Sequence, residues 1–171
     1  MSKRKAGISM NLVLLGDSDV GKTRILASYI TRIRPDFVSR RVCIEGRLVE
    51  LRVFDIQVWP RRDIIAGDGL PNYPRAPGIL LVYNIAHRPS FDNCAKWLDH
   101  IYNRRSGECC GHDTVVLLVG HCKDVDAPRV VTTEEGKAWA NDRGLLFIEV
   151  SALNGHNIQL AMRRLACEHM G

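Results

Sequence analysis

"NLVLLGDSDVGKTRIL", Asn11 to Leu26, is an apolar run that breaks at a glycine, turns through a short polar stretch and resumes in a helical rhythm. Within it, Gly16 to Thr23 fit G-x-x-x-x-G-K-[ST], a pattern in which each fixed position serves to hold nucleotide phosphates. Gly16 ends the strand in a tight turn. Gly21 lets successive backbone N–H groups face a phosphate in a concave nest at a helix N-terminus, where the dipole favours anions. Lys22 can reach the terminal phosphates, and the Thr23 hydroxyl suits Mg²⁺. Ser18, Asp19, Val20 and the following Arg24 complete the candidate phosphate contacts. The flanks supply the context the pattern requires, because "ISMNLVLL" reads as a buried strand and "KTRILASYI" as a helix.

Further along, "DFVSRRVCIEGRLVELRVFDI" reads as two extended segments joined at Glu45-Gly46, a hairpin signal. "RAPGILLVYNI", "DTVVLLVG" and "GLLFIEVS" are apolar runs of the kind found in strands buried on both faces. Between the first two, Phe91, Cys94, Trp97, Leu98 and Ile101 recur at helical spacing behind Ser90, a candidate cap. "TTEEGKAWANDRG" has a T-x-x-E start and a glycine stop, and "NIQLAMRRLACEHM" is a closing helix. This alternation predicts one α/β domain over residues 8–171, after a basic segment 1–7, with a mostly parallel six-stranded sheet and helices on both faces. In such sheets ligands sit at the carboxyl ends of the strands, where the loop at Gly16 emerges.

Composition bounds the partners. The chain of 171 residues is long enough for one well-cored domain, with 46% hydrophobic and 25% charged residues. No apolar run approaches the roughly 18 residues of a membrane span. A cytoplasmic protein is therefore expected. Net charge is +5, with basic pairs and triplets at Lys3-Arg4-Lys5, Arg40-Arg41, Arg61-Arg62 and Arg104-Arg105. These are scattered and lack interleaved aromatics, so no nucleic-acid surface is expected. The six cysteines, without a secretory signal, read as free thiols. Cys109, Cys110 and His112, with His121 and Cys122, match no C-x₂-C zinc spacing.

Across nearly the whole chain the sequence resembles a small GTPase of the Ras superfamily, most like the Rab branch. "GDSDVGKT" resembles the Rab phosphate loop. "GILLVYNI" followed by "SFDN" and "WLDHI" resembles the Rab strand and helix after switch II, and "VSAL" resembles the S-A-K turn that contacts the base. The resemblance implies a P-loop domain that binds GTP or GDP with Mg²⁺. It implies that Lys22 meets phosphate, that Thr23 ligates the metal, and that Asp55 holds it through water. Asp124, matching the aspartate of N-K-x-D, would accept hydrogen bonds from guanine, with Ser151 and Ala152 supporting the base.

The sequence departs from the family where the family moves and hydrolyses. D-x-x-G reads Asp55-Ile56-Gln57-Val58, so a β-branched residue stands where a glycine would meet the γ-phosphate. Trp59 replaces the glutamine that orients water, and an indole N–H only donates. Gln57 lies two positions early. Thirteen residues separate Lys22 from Asp36, well short of the Rab span, and the switch I threonine aligns with Arg32, beside Thr31. Arg32 or Arg34 could touch phosphate but cannot ligate a cation. N-K-x-D reads His121-Cys122-Lys123-Asp124, losing the asparagine that ties loops together and shifting the lysine by one. Leu153 replaces the lysine of S-A-K, and Asp19 stands where Rabs usually have glycine.

The expectation is an atypical Rab-like guanine-nucleotide-binding protein in vesicle or protein trafficking, with weak or absent hydrolysis and no catalytic residue assigned. Two alternatives stay open: a competent GTPase with a rearranged switch II, and a nucleotide-free scaffold. Expected partners are effector or regulator proteins, with the chain itself a monomer. Neither a C-terminal cysteine box nor an N-terminal glycine is present, so membrane contact is expected only through a partner.

Overall fold

The computed structural model describes residues 8–29, 32–33, 37–55, 75–105, 113–123 and 126–171. Strand β1 (Ile8–Leu15) leads through the glycine loop into α1 (Lys22–Tyr29). A two-residue strand β2 (Arg32–Ile33) precedes the hairpin of β3 (Val38–Ile44) and β4 (Arg47–Asp55). Then come β5 (Gly78–Asn84), α2 (Arg88–Asp92), α3 (Cys94–Arg105), β6 (Val115–His121), α4 (Thr133–Asn141), β7 (Leu146–Val150) and α5 (Ile158–Met170).

The strands lie in the order β2-β3-β4-β1-β5-β6-β7. From β4 to β7 every neighbouring pair is parallel, while β3 runs antiparallel to β4. Six strands of five residues or more thus form the mostly parallel sheet that the alternation predicts. The short β2 extends its edge, pairing Arg32 with Ser39 and Ile33 with Val38. The turn between β3 and β4 holds Glu45 and Gly46 at φ +49° and +75°, the two positive values a type I′ hairpin needs.

Alternate residues of the central strands enter two separate cores. Leu12, Leu14, Leu80, Val82, Leu117 and Val119 pack against Ile25 and Tyr29 of α1 and Met162 and Leu165 of α5. Val13, Leu15, Ile79, Leu81, Val116 and Leu118 pack on the other face against Phe91, Leu98 and Ile101. Burial on both faces is why these strands read as continuous apolar runs and not as alternating ones.

Helix starts follow local chemistry in part: Asn157, which precedes α5, is left-handed at φ +59° and makes no side-chain cap. Thr132 caps α4, its hydroxyl accepting from Glu135 N at 3.1 Å, as T-x-x-E predicts. Gly144, left-handed at φ +65°, follows the helix end. Ser90, expected as a cap, is instead inside α2. The cap is His87, whose ring Nδ1 accepts from Ser90 N at 3.3 Å, and Pro89 sits in the first turn, where its missing N–H costs nothing. The Ser90 hydroxyl turns back to accept from Asn84 N and donate to His87 O.

Candidate functional site

The loop after β1 is shaped by contacts that only glycine admits. Gly16 has φ +139°, and a Cβ there would lie 2.2 Å from the Val82 carbonyl oxygen of β5. Gly21 has φ +94°, and its Cβ would fall 2.4 Å from the His121 ring. Between them Asp19 takes a left-handed conformation, φ +66°, which aspartate tolerates better than most side chains.

Lys22 opens α1 and is 3% exposed. Its ammonium curls back into the loop, donating to Gly16 O at 2.8 Å and Asp17 O at 2.5 Å. Burial lowers its pKa, while the charges of Asp55, Asp17 and Asp19 pull the other way. Thr23 donates its hydroxyl to Asp55 Oδ2 at 2.8 Å. Asp55 ends β4, next to β1, where the parallel register pairs it with Leu14. The two residues expected to hold Mg²⁺ therefore converge, although they are distant in sequence. Asp19, Gly21, Lys22, Thr23, Arg24 and Lys123 line a cleft of about 240 Å³. The shifted lysine of the degenerate N-K-x-D stretch thus borders the same hollow as the phosphate loop.

Behind Gly21 of the loop, His121 ends β6, fully buried. Its Nδ1 lies 2.6 Å from Val20 O in the loop, and its Nε2 accepts from Ala152 N at 3.4 Å. The pair of contacts selects one neutral tautomer, with hydrogen on Nδ1 and a lone pair on Nε2. Loss of the asparagine in this position was expected to untie the loops. Imidazole offers a donor and an acceptor on opposite sides of a flat ring, and here the ring ties Val20 of the phosphate loop to Ala152. Further stitches join α1 to these loops: Ser28 Oγ donates to Ala152 O at 3.1 Å, and Arg24 Nη1 to Lys123 O at 3.5 Å. Ser151 accepts from Leu153 N through its hydroxyl, while the Leu153 side chain is half-exposed.

One loop residue outside the candidate set is firmly engaged. Both carboxylate oxygens of Asp17 accept from α3 and the joint before it, from Asn93 Nδ2 at 2.7 Å and Trp97 Nε1 at 2.9 Å. In sequence, Asn93 and Trp97 showed only the resemblance and a helical core spacing. Asp124, Thr31, Arg34, Gln57, Val58, Trp59, Cys109, Cys110 and His112 lie outside the described residues, as does the side chain of Arg32. Among the described residues Cys43, Cys94, Cys122 and Cys167 carry free thiols. No described helix is long and apolar enough to cross a membrane.

Sheet order and the loop after β1 together define a P-loop GTPase fold. The family model of the Ras family matches residues 11–170. "GTP-binding protein YPTM2" of Zea mays is 36% identical over 165 residues, covering 91% of this chain and 77% of that protein. "Ras-related protein Rab-37" of Homo sapiens is 32% identical over 167 residues, covering 92% of this chain and 71% of that protein. The chain belongs to the Ras superfamily of small GTPases, in its Rab-like branch.

Proposed function

We propose that this chain is an atypical Rab-like protein that holds guanine nucleotide with Mg²⁺ and serves as a protein-interaction switch or module in intracellular trafficking, with slow or absent hydrolysis. The observation that carries the binding half is the convergence of Thr23 and Asp55 at 2.8 Å beside the buried ammonium of Lys22. A hydroxyl and a carboxylate are hard oxygen donors, the set Mg²⁺ prefers. These two residues would hold the ion, which would offset phosphate charge when bound. Lys22, seated on the Gly16 and Asp17 carbonyls, supplies the fixed cation for the phosphates, and the first turn of α1 aims its N–H groups at the same cleft. Arg24 and the backbone of Ser18, Asp19, Val20 and Gly21 complete the phosphate side. Asp124, Ser151 and Ala152 would form the base side, braced by His121.

The hydrolytic half rests on sequence and on one backbone feature. Val58 and Trp59 supply neither the flexible N–H nor the water-orienting amide of the family route. Residue 32, aligned with the switch I threonine, has its backbone paired into the sheet edge through Ser39. This supports a protein whose contacts to partners do not depend on a switch I clasp.

The test is to denature the purified full chain and identify the released nucleotide by chromatography. GDP or GTP is expected, and calorimetry should show binding lost in Lys22→Ala and strongly weakened in Thr23→Ala. An empty wild-type chain that also takes up no added guanine nucleotide would leave the scaffold reading standing in its place.

A further inference from the structure

The Asp17 carboxylate sits in a phosphate-facing loop, yet it is absent from the lining of the cleft that Asp19, Lys22 and Thr23 share. A free carboxylate in that loop would repel phosphate. Both of its oxygens are instead taken by neutral donors from 76 and 80 residues away. The donors are held rigidly. Asn93 sits at the joint between α2 and α3, its N–H bonded to Pro89 O at 2.9 Å, and Trp97 N–H bonds to Asn93 O at 3.2 Å. The indole of Trp97 packs on the core under β5 and β6. The Asp17 backbone carbonyl, fixed by this anchorage, is one of the two oxygens that seat the Lys22 ammonium.

We propose that Asn93 and Trp97 are positioning residues for the phosphate loop: by occupying both oxygens of Asp17, they turn its charge away from the nucleotide and fix the carbonyl on which Lys22 is seated. The inference rests on the nucleotide-binding reading for its consequence but not for its geometry. It links α3 to nucleotide retention through a chain running from Trp97 and Asn93 to Asp17 to Lys22. Hydrogen bonds to an ionised group are stronger than neutral ones, so each donor should be felt in the rate at which nucleotide leaves.

The experiment uses the full chain and GDP bearing a fluorescent methylanthraniloyl group, released in the presence of Mg²⁺ by excess unlabelled GDP. Trp97→Phe, which keeps an aromatic ring but loses the N–H, and Asn93→Ala should each speed release by about tenfold. Asp17→Ala, which removes both anchors of the carbonyl that seats Lys22, should itself speed release severalfold. Adding Trp97→Phe to Asp17→Ala should leave release at the rate of Asp17→Ala alone, a non-additivity that a purely structural role for the indole would not give. Release within twofold of wild type in both α3 variants, or an undiminished Trp97→Phe effect without Asp17, overturns the proposal. Independently of nucleotide, indole N–H exchange of Trp97, followed by NMR in the nucleotide-free chain, should quicken at least tenfold in Asp17→Ala. Equal exchange also overturns it. If wild type takes up no guanine nucleotide, the proposed function fails while indole exchange still decides the clamp.

Discussion

His121 shows how much one ring can carry. It replaces an amide by an imidazole that still donates to Val20 O and accepts from Ala152 N, so an asparagine could reproduce its donor and acceptor pattern while alanine could not. His121→Ala should lose both ties, leave a gap against Gly21, and speed GDP release by roughly tenfold or more, the worth of one or two buried hydrogen bonds. His121→Asn should stay within a few-fold of wild type. Release kinetics of the two variants check this, and an alanine variant that behaves like wild type would show that the stitching is redundant. Lys22 makes a second prediction at this scale. Burial first, partly offset by Asp55, Asp17 and Asp19, holds its pKa below the usual lysine value in the free protein, whereas bound phosphate favours the ammonium and raises it again. Binding above the free-protein pKa therefore takes up a proton, and GDP affinity should fall as pH rises through that value. The nucleotide-free fold responds with the opposite sign: a lowered lysine pKa penalises the charged form, so this group's contribution to stability improves as the ammonium deprotonates. Calorimetry in two buffers of different ionisation heat measures the proton uptake, and Lys22→Arg, which cannot titrate there, should abolish it.

Among the elements, the connection between α1 and β3 is the one whose length differs most from the resemblance. The backbone between Tyr29 and Val38 includes the pair at Arg32–Ile33, folded on the sheet edge, and this leaves little chain for a loop that closes over phosphate. Restoring the other switch should therefore help only in part. In single-turnover assays at saturating GTP and Mg²⁺, the wild type should hydrolyse more slowly than the roughly 10⁻⁴ s⁻¹ of an ordinary intrinsic small GTPase, and Val58→Gly with Trp59→Gln should recover part of that rate. A flat response with binding intact would place the main defect near Thr31 and Arg32. The elements themselves were legible wherever the signal was local. Apolar runs marked β5, β6 and β7, Glu45-Gly46 marked the hairpin, and Thr132 with Glu135 marked the start of α4. Ser90 misled because a histidine ring, an uncommon cap, had already satisfied the helix start one turn earlier. Within the site, Gly16, Lys22 and Thr23 belong to one short local pattern and could be grouped from it, although Val82 and Asp55, which meet Gly16 and Thr23, are distant in sequence. The roles of His121 and Asp17 depend on atoms that only the sheet order brings together, and no spacing rule reaches that far.

At the scale of the molecule, the sheet has two ends with different duties. Every strand that contributes to the candidate site does so at its carboxyl end: β1 through the loop, β4 through Asp55, β6 through His121 and β7 through Ser151. The turn of the β3–β4 hairpin lies at the other end. Glu45 and Gly46 are exposed, and a Cβ on Gly46 would meet nothing within 4 Å. From Arg47 to Asp55 the nine residues of β4 place that turn roughly 26 Å from the cleft, at about 3.3 Å per residue. A short glycine-serine insert carrying an affinity epitope between Glu45 and Gly46 should therefore leave GDP release within twofold of wild type and the melting temperature within a few degrees. Such a handle would let the chain be tethered to a surface by the end remote from nucleotide, with the phosphate loop and α3 left open to whatever is passed over it.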